Sequence, residues 1–530
     1  MQRSEILVLG SLLAWGIVSV LRVGRRRRGL PPGPRTVPLF GNALLLADGK
    51  DLHLKLTDLA RSYGDIFSLE IMTMTMIVLS SPTAIKEVVD KHGWAASSRP
   101  GNYIAEICGS GGDVDLVFAA DSPRLQNIRR VVARFFSPQN SLRYVPAETA
   151  ESTVLLNDLI TQPAAFSDSI RRYTHSLAKI MAYGQRAPSF HSEEVQEFYT
   201  TLDQLLHALG FGTYPPFDLI PALKWIPPPF APWRAVGVQI KSVRNAIHTR
   251  MYEGVRRRQA AGDVESTECF IGKVLQSKIP EGDEEAYSRC SHTGLALLDA
   301  GSDTSAAFLL SLVLVLATYP ECQERARAEI DAVVDGMRLP VSEDFPKLPY
   351  LNALIKEVMR FRPQFPIGIP HLMTGNAVYK EYHVPKDSMV VLNTYALFHD
   401  PEIFEEPEVF NPDRFLKSEH GTRPAVDNTD FRDNFLFGGG RRICPGQWVA
   451  QSTMHLTSMR LIWALKFGAA TDPSTGQPLS RELDFYASEG AVVMPKPFNC
   501  VIEPRSQEHR DAVVQELVDA NFFLSRYEGN

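Results

Sequence analysis

The chain has 530 residues, 44% hydrophobic and 22% charged, with 37 prolines and 35 glycines; this is a globular composition and excludes collagen-like, largely disordered and multi-span membrane classes. A formal net charge of −6 excludes nucleic acid as a main partner, because phosphate binding needs a surplus of Lys and Arg. Cys108, Cys269, Cys290, Cys322, Cys444 and Cys500 form no C-x-x-C pair, so neither a disulfide framework nor a zinc finger is expected.

The N-terminus reads as an anchor. Residues 6–21 carry no charge, and a helix over 6–23 is about 27 Å long, close to the roughly 27 Å hydrocarbon thickness of the endoplasmic reticulum. Arg22 sits where its head can snorkel to the interface. Arg25, Arg26, Arg27 and Arg28 follow, against Arg3 alone on the other side, which places the body in the cytosol. A cleaved signal peptide would carry its charges before the apolar run. Residues 1–28 are therefore expected to form a membrane anchor with a basic stop. Leu30-Pro31-Pro32-Gly33-Pro34 cannot continue the helix and predicts a stiff hinge over 29–40.

From 41 to 505 no repeat and no linker divides the chain. Amphipathic patterns predict helices over 84–91, 125–136, 150–160, 236–259 and 320–334, with β-like stretches at 66–71, 76–79, 389–393 and 491–494. The apolar segment 294–319 has an uncharged run of 14 residues, 306–319, short of the roughly 17 needed to cross a bilayer. It predicts a long helix through the core of a large, mainly α domain with small sheets. Residues 506–530 form an extension, with an apolar pattern at 512–523 that predicts a helix docked on the body.

Four groups of residues carry chemistry. Ala300-Gly301-Ser302-Asp303-Thr304-Ser305 lies in the long helix; Thr304 can serve a reacting oxygen and Asp303 can relay protons, or Thr304 can bond back to the i−4 carbonyl. Glu357 and Arg360 are three apart and share a helix face, with Pro412-Asp413-Arg414-Phe415 following later. His371 closes Phe365-Pro366-Ile367-Gly368-Ile369-Pro370-His371. Last comes Phe437-Gly438-Gly439-Gly440-Arg441-Arg442-Ile443-Cys444-Pro445-Gly446, in which glycines allow a tight loop and Cys444 precedes a helix whose free N–H groups lower a thiol pKa.

The last motif resembles the cytochrome P450 signature F-x-x-G-x-R-x-C-x-G at every fixed position, with Ala450 also in place, and the other motifs precede it in family order. The resemblance runs from the hinge to about 505 and is closest to microsomal, fungal-type members that oxidise secondary metabolites, among them enzymes similar to O-methylsterigmatocystin oxidoreductase. It implies the family fold over 41–505, haem b as cofactor, Cys444 as the iron ligand, Arg442, His371 and Arg129 on the haem propionates, and Asp303 and Thr304 in oxygen activation. Glu357, Arg360 and Arg414 would form a structural triad. The implied reaction inserts one atom of O₂ into a lipophilic small molecule, a terpenoid or polyketide. Electrons would come from NADPH-cytochrome P450 reductase, met by a basic patch of Arg124, Arg130, Arg134 and Arg441. Implied pocket walls are 103–118, 211–226, 297–304, 365–369 and 489–492, with an apolar loop over 215–230 that dips into the bilayer. A haem-thiolate isomerase or dehydratase, or a haem sensor, is the alternative class; the Asp303-Thr304 pair counts against both. One position departs from the family: Leu125 stands where Trp is expected, removing one propionate hydrogen bond.

Overall fold

Prolines cannot donate to a ladder, and the Pro31–Pro34 run lies extended beside the first strand, accepting instead. Ser68 N–H donates to Pro32 O and its hydroxyl to Pro31 O, both at 2.7 Å. The computed structural model describes residues 23–528 except 48, 50, 110–114, 211, 277–283, 471–484 and 488–491, and of 284–291 and 485–487 the backbone alone. The anchor expected over 6–23 thus lies almost wholly outside the described residues. Of the basic stop, Arg25, Arg27 and Arg28 are exposed. Arg26 instead turns inward and donates to Pro31 O (3.2 Å), Pro34 O (2.9 Å) and Ser68 O (3.1 Å). The hinge is therefore fastened to the body by one guanidinium shared among three carbonyls.

Among the described residues, ten short strands form four small sheets. β1 (Ile66–Ile71) and β2 (Met74–Leu79) make an antiparallel hairpin, β6 (Met389–Leu392) runs parallel to β2, and β3 (His371–Leu372) closes the order β1-β2-β6-β3. The pairs β4 (Ala377–Tyr379) with β5 (Tyr382–Val384), β7 (Leu465–Ala469) with β10 (Cys500–Pro504), and β8 (Phe485–Ala487) with β9 (Val493–Pro495) complete the set. The stretch expected at 491–494 is found two residues later, as β9.

The helices that frame the site and the C-terminal extension include α1 (Tyr103–Ile107), α2 (Pro123–Phe135), α3 (Val145–Thr161), α4 (Phe166–Tyr183), α5 (Glu193–Leu209), α6 (Pro232–Ala260), α7 (Glu284–Thr318), α8 (Pro349–Phe361), α9 (Gln447–Ala464) and α10 (Gln507–Leu524). α2 shows why they start where they do. Ser122 caps it, accepting from Leu125 N–H at 3.1 Å, Pro123 occupies the first turn, and Leu125, Ile128, Val132 and Phe135 bury one stripe. The predicted helix 84–91 is split into an α turn, Pro82–Ile85, and a π-helical turn, Lys86–Lys91.

α7 is long and apolar enough to cross a membrane, yet most of its apolar stretch is buried in the body, as expected of a core helix. It lies against α4, where a Cβ on Gly301 would stand 3.0 Å from that of Ala178. The extension forms α10, docked on α3 through buried Val513, Ala520 and Leu524. Arg460 reaches Glu516 at 3.0 Å and Arg186 reaches Glu528 at 2.9 Å, tying it at both ends.

Candidate functional site

The cysteine loop is held from several sides. Cys444 N–H donates to Phe437 O at 2.8 Å, closing the turn. Gly440 has φ +55°, and a Cβ there would run into the Val89 carbonyl oxygen, so the residue is required twice over. Its N–H donates to Asp90 at 2.7 Å. Arg129, from α2, gives Nη2 to Ile443 O (2.6 Å) and Nε to Arg441 O (3.2 Å). The thiol itself differs from expectation. Burial pushes it up, and the Gly446 N–H and Arg129 offset only part of that. A metal cation at Sγ would reverse the balance, since a coordinated thiol is deprotonated outright.

Beside the loop four basic side chains converge. Arg442 donates Nη2 to Ala119 O (2.7 Å) and Val117 O (3.3 Å), leaving Nε and Nη1 buried without a hydrogen-bond partner among the described residues. Arg99, which no sequence motif marks, donates to Val117 O (3.1 Å), Ile369 O (2.6 Å) and Pro370 O (2.9 Å). His371 presents Nδ1 to Ala96 O at 2.6 Å. Burial, then Arg99, push its pKa down to about 3, so it is neutral here and Nε2 carries the lone pair. Burial lowers the pKa of Arg99, Arg129 and Arg442; Arg442 and Arg129 lower Arg99 further, and Arg129 lowers Arg442. Burying such cations is costly, and Asp121 and Asp115 offset only part of that cost for Arg442; the cluster suits an anion. Leu125 is buried in the core below it.

On α7, Ala300 is exposed and Thr304 half-buried although the helix crosses the middle of the molecule, so this stripe faces an internal cleft. Thr304 Oγ1 donates to Ala300 O at 2.6 Å, the back-bonded arrangement. Its hydrogen is committed, and what it offers the cleft is a lone pair. Asp303 points elsewhere. It is buried, its Oδ2 has no hydrogen-bond partner among the described residues, and burial raises its pKa to about 6 against the pull of Arg171. Behind the loop, Glu357 accepts from Arg360 (2.7 and 2.9 Å), from Arg414 (3.2 Å) and from Asn411 N–H (2.8 Å), all buried or nearly so. The E-x-x-R and P-x-R-F elements do meet.

A model of the cytochrome P450 family matches residues 31–499. The chain belongs to this family. Relatives include a cytochrome P450 monooxygenase of Armillaria gallica, 36% identical over 97% of this chain and 96% of its own, and the cytochrome P450 monooxygenase yanC of Aspergillus niger, 33% identical over 98% of each. A zebrafish cytochrome P450 solved with abiraterone superposes with a TM-score of 0.67 at 24% identity, covering 86% of this chain and all of that one. It shares the fold. The P450 reading carries haem as cofactor and monooxygenation as activity; neither the isomerase nor the sensor alternative is favoured. The residues fit the cofactor: unpartnered Arg442 donors suit a propionate carboxylate, and a thiol stands at the head of a Gly-rich loop.

Proposed function

We propose that this P450 is a membrane-anchored monooxygenase that oxidises a lipophilic secondary metabolite, a terpenoid or polyketide, with electrons from NADPH-cytochrome P450 reductase. The observation that carries the site assignment is the convergence of basic side chains beside the Cys444 loop, with Nε and Nη1 of Arg442 buried and unpartnered among the described residues. Cys444 would be the axial ligand, with Arg442, Arg129, Arg99 and His371 on the propionates. His371 can donate from Nε2 only as an imidazolium, which a carboxylate in contact favours. Arg99 supplies the donor lost at Leu125.

Haem held there supplies the redox chemistry that splits O₂, one atom going to substrate and one to water. Asp303 would hold the proton to be delivered, and Thr304 Oγ1, with its hydrogen on Ala300 O, would accept a hydrogen bond from the oxygen being protonated.

The membrane reading is supported by one face. Leu39 N–H bonds Val23 O where the described chain begins, and Val37, Leu39 and Phe40 around it are exposed. Leu219 packs beside the neighbouring segment Ala43–Leu46, and its loop exposes Trp225 (86%) and Phe230 (73%). Aromatic side chains so placed suit a bilayer interface, and residues 1–28 would anchor the protein in the endoplasmic reticulum. Exposed Arg124, Arg130, Arg134 and Arg441 lie on the cysteine side, where an acidic reductase would dock.

The test is a reduced-carbon monoxide difference spectrum followed by turnover in a host fed candidate metabolites. A thiolate-type band and NADPH- and reductase-dependent product are expected; a histidine-type band refutes the ligand, and turnover without reductase refutes the partner.

A further inference from the structure

An ion pair stands at the implied pocket wall over 297–304. Arg244 of α6 donates Nη2 to Asp299 Oδ2 at 2.7 Å and Nη1 to Asp299 Oδ1 at 3.3 Å, joining α6 to α7. Arg244 is 6% exposed, and its Nε is buried with no hydrogen-bond partner among the described residues. Asp299 keeps 18% of its side chain exposed. It lies one residue before exposed Ala300, on the flank of the stripe that faces the cleft.

A third group joins them. Asp115 is buried and feels both Arg244 and Asp299. One of its oxygens accepts from Val117 N–H (2.6 Å) and Phe118 N–H (2.9 Å). The carbonyl of that same Val117 accepts from Arg99 and Arg442. The segment 115–119 therefore runs directly from the cations of the haem edge to the Arg244–Asp299 pair. α1 closes the same corner: a Cβ on Gly237 of α6 would stand 2.7 Å from the side chain of Ile107.

A buried pair of this kind gives little net stability, because desolvating both charges cancels most of their attraction. An unsatisfied donor beside it adds a further cost. Such an arrangement is explicable when a ligand completes it. The free Nε–H asks for an oxygen acceptor, and the partly exposed Asp299 carboxylate has lone pairs left for a donor. A hydroxyl is both. A carboxylate ligand would face two aspartates, and a hydrocarbon would leave the donor unpaired.

We propose that Arg244 and Asp299 form a polar recognition point for a hydroxyl or phenol group on an otherwise lipophilic substrate. The proposal rests on the monooxygenase reading and specifies its substrate class. Asp299 precedes Thr304 by five residues, about 7.5 Å along the helix axis, so the hydroxyl is recognised at a point distinct from the Thr304 position. The substrate then comes from a step that installs or unmasks a hydroxyl.

The experiment uses full-length, haem-loaded enzyme and three matched probe pairs, farnesol with farnesene, 4-nonylphenol with nonylbenzene, and 1-dodecanol with dodecane, titrated by spin-state shift and by calorimetry. Wild type should bind at least one alcohol or phenol at least tenfold more tightly than its deoxy partner. The double variant Arg244→Met/Asp299→Leu, which removes both partners of the pair, should bind both members within threefold. Equal affinities in wild type for every pair, no binding of any probe, or a preference surviving in the double variant overturns the proposal. A thiolate-type carbon monoxide band in both proteins shows that haem and fold are intact; its absence from wild type would refute the monooxygenase reading instead.

Discussion

Arg360 forks onto Glu357, Nε to one carboxylate oxygen at 2.7 Å and Nη2 to the other at 2.9 Å, with both side chains sealed from solvent. Nη1 of the same guanidinium reaches Phe398 O at 2.7 Å, and Arg414 completes the carboxylate from the far side. The triad ties α8 to the segment leading into the cysteine loop. Removing one partner leaves buried charge uncompensated, at a cost of about 3–5 kcal/mol. Glu357→Gln should accordingly yield little folded protein and no thiolate-type carbon monoxide band. Normal haem loading in this variant would show that the triad is dispensable.

The cation cluster makes a graded prediction. Arg99→Leu and Arg442→Leu should each raise the rate of haem transfer to apomyoglobin about 10- to 100-fold, since a hydrogen bond to a charged group is worth about 1.5–3 kcal/mol. Arg99 has the added task of holding three carbonyls, so its variant should also lose thermal stability, whereas Arg442→Lys should retain part of the haem affinity. Unchanged transfer rates for Arg99→Leu would remove it from the propionate set.

Asp303, with its pKa raised to about 6, carries a proton below that pH and loses it above. Activity limited by proton delivery should therefore fall as pH rises through about 6. Asp303→Asn should lower product formation about 100-fold and lack that limb. Thr304→Ala should keep consuming NADPH while releasing peroxide in place of product, and Thr304→Ser should recover coupling. Product yield per NADPH, read across pH 5 to 8, checks both.

Glu148 of α3 is fully buried against Ser452 (2.6 Å) and Thr453 (3.1 Å) of α9, and burial raises its pKa to about 7. The folded state holds this proton more tightly than the unfolded one, so its stabilisation is complete below about pH 4.5 and lost as pH rises through about 7. Between pH 5.5 and 8 that amounts to about 2 kcal/mol. Glu148→Gln should flatten this part of the stability profile and be the more stable protein at pH 8. Parallel denaturation curves for both proteins across that range would count against it.

The terminal helix α10 buries Val513 and Leu524 and takes up the Arg460 charge, and Glu528 beyond it takes up that of Arg186. Ending the chain at 506 should cost about 3–6 kcal/mol from those two aliphatic side chains alone. A clear drop in Tm is expected, and an unchanged Tm would mean that the helix is a passenger.

Much of this was legible in the sequence where function forces a local pattern. Cys444, Arg442 and Gly440 sit within five residues of one another, and the β-like stretch at 66–71 matches β1. The two-part site Glu357/Arg360 and Arg414 was legible because each half is a short motif. What escaped has partners far along the chain. Arg99 bonds to carbonyls at 117, 369 and 370, and a carbonyl leaves no trace in residue identity. Arg244 and Asp299 are 55 residues apart on helices whose rotation about their axes decides whether they meet. Arg26 looked like one of four equivalent charges until the fold offered it three acceptors. The thiol of Cys444 was expected to be lowered by its helix, and burial outweighs that.

Arg26 has a mechanical meaning as well. With one side chain fastened to Pro31, Pro34 and Ser68, the stretch from 23 to 34 acts as a bracket and not a leash. Force or torque applied at its outer end passes straight into β1. A rigid probe attached just ahead of Val23 would tumble with the body, and cutting the bracket by Arg26→Ala would let it swing on its own.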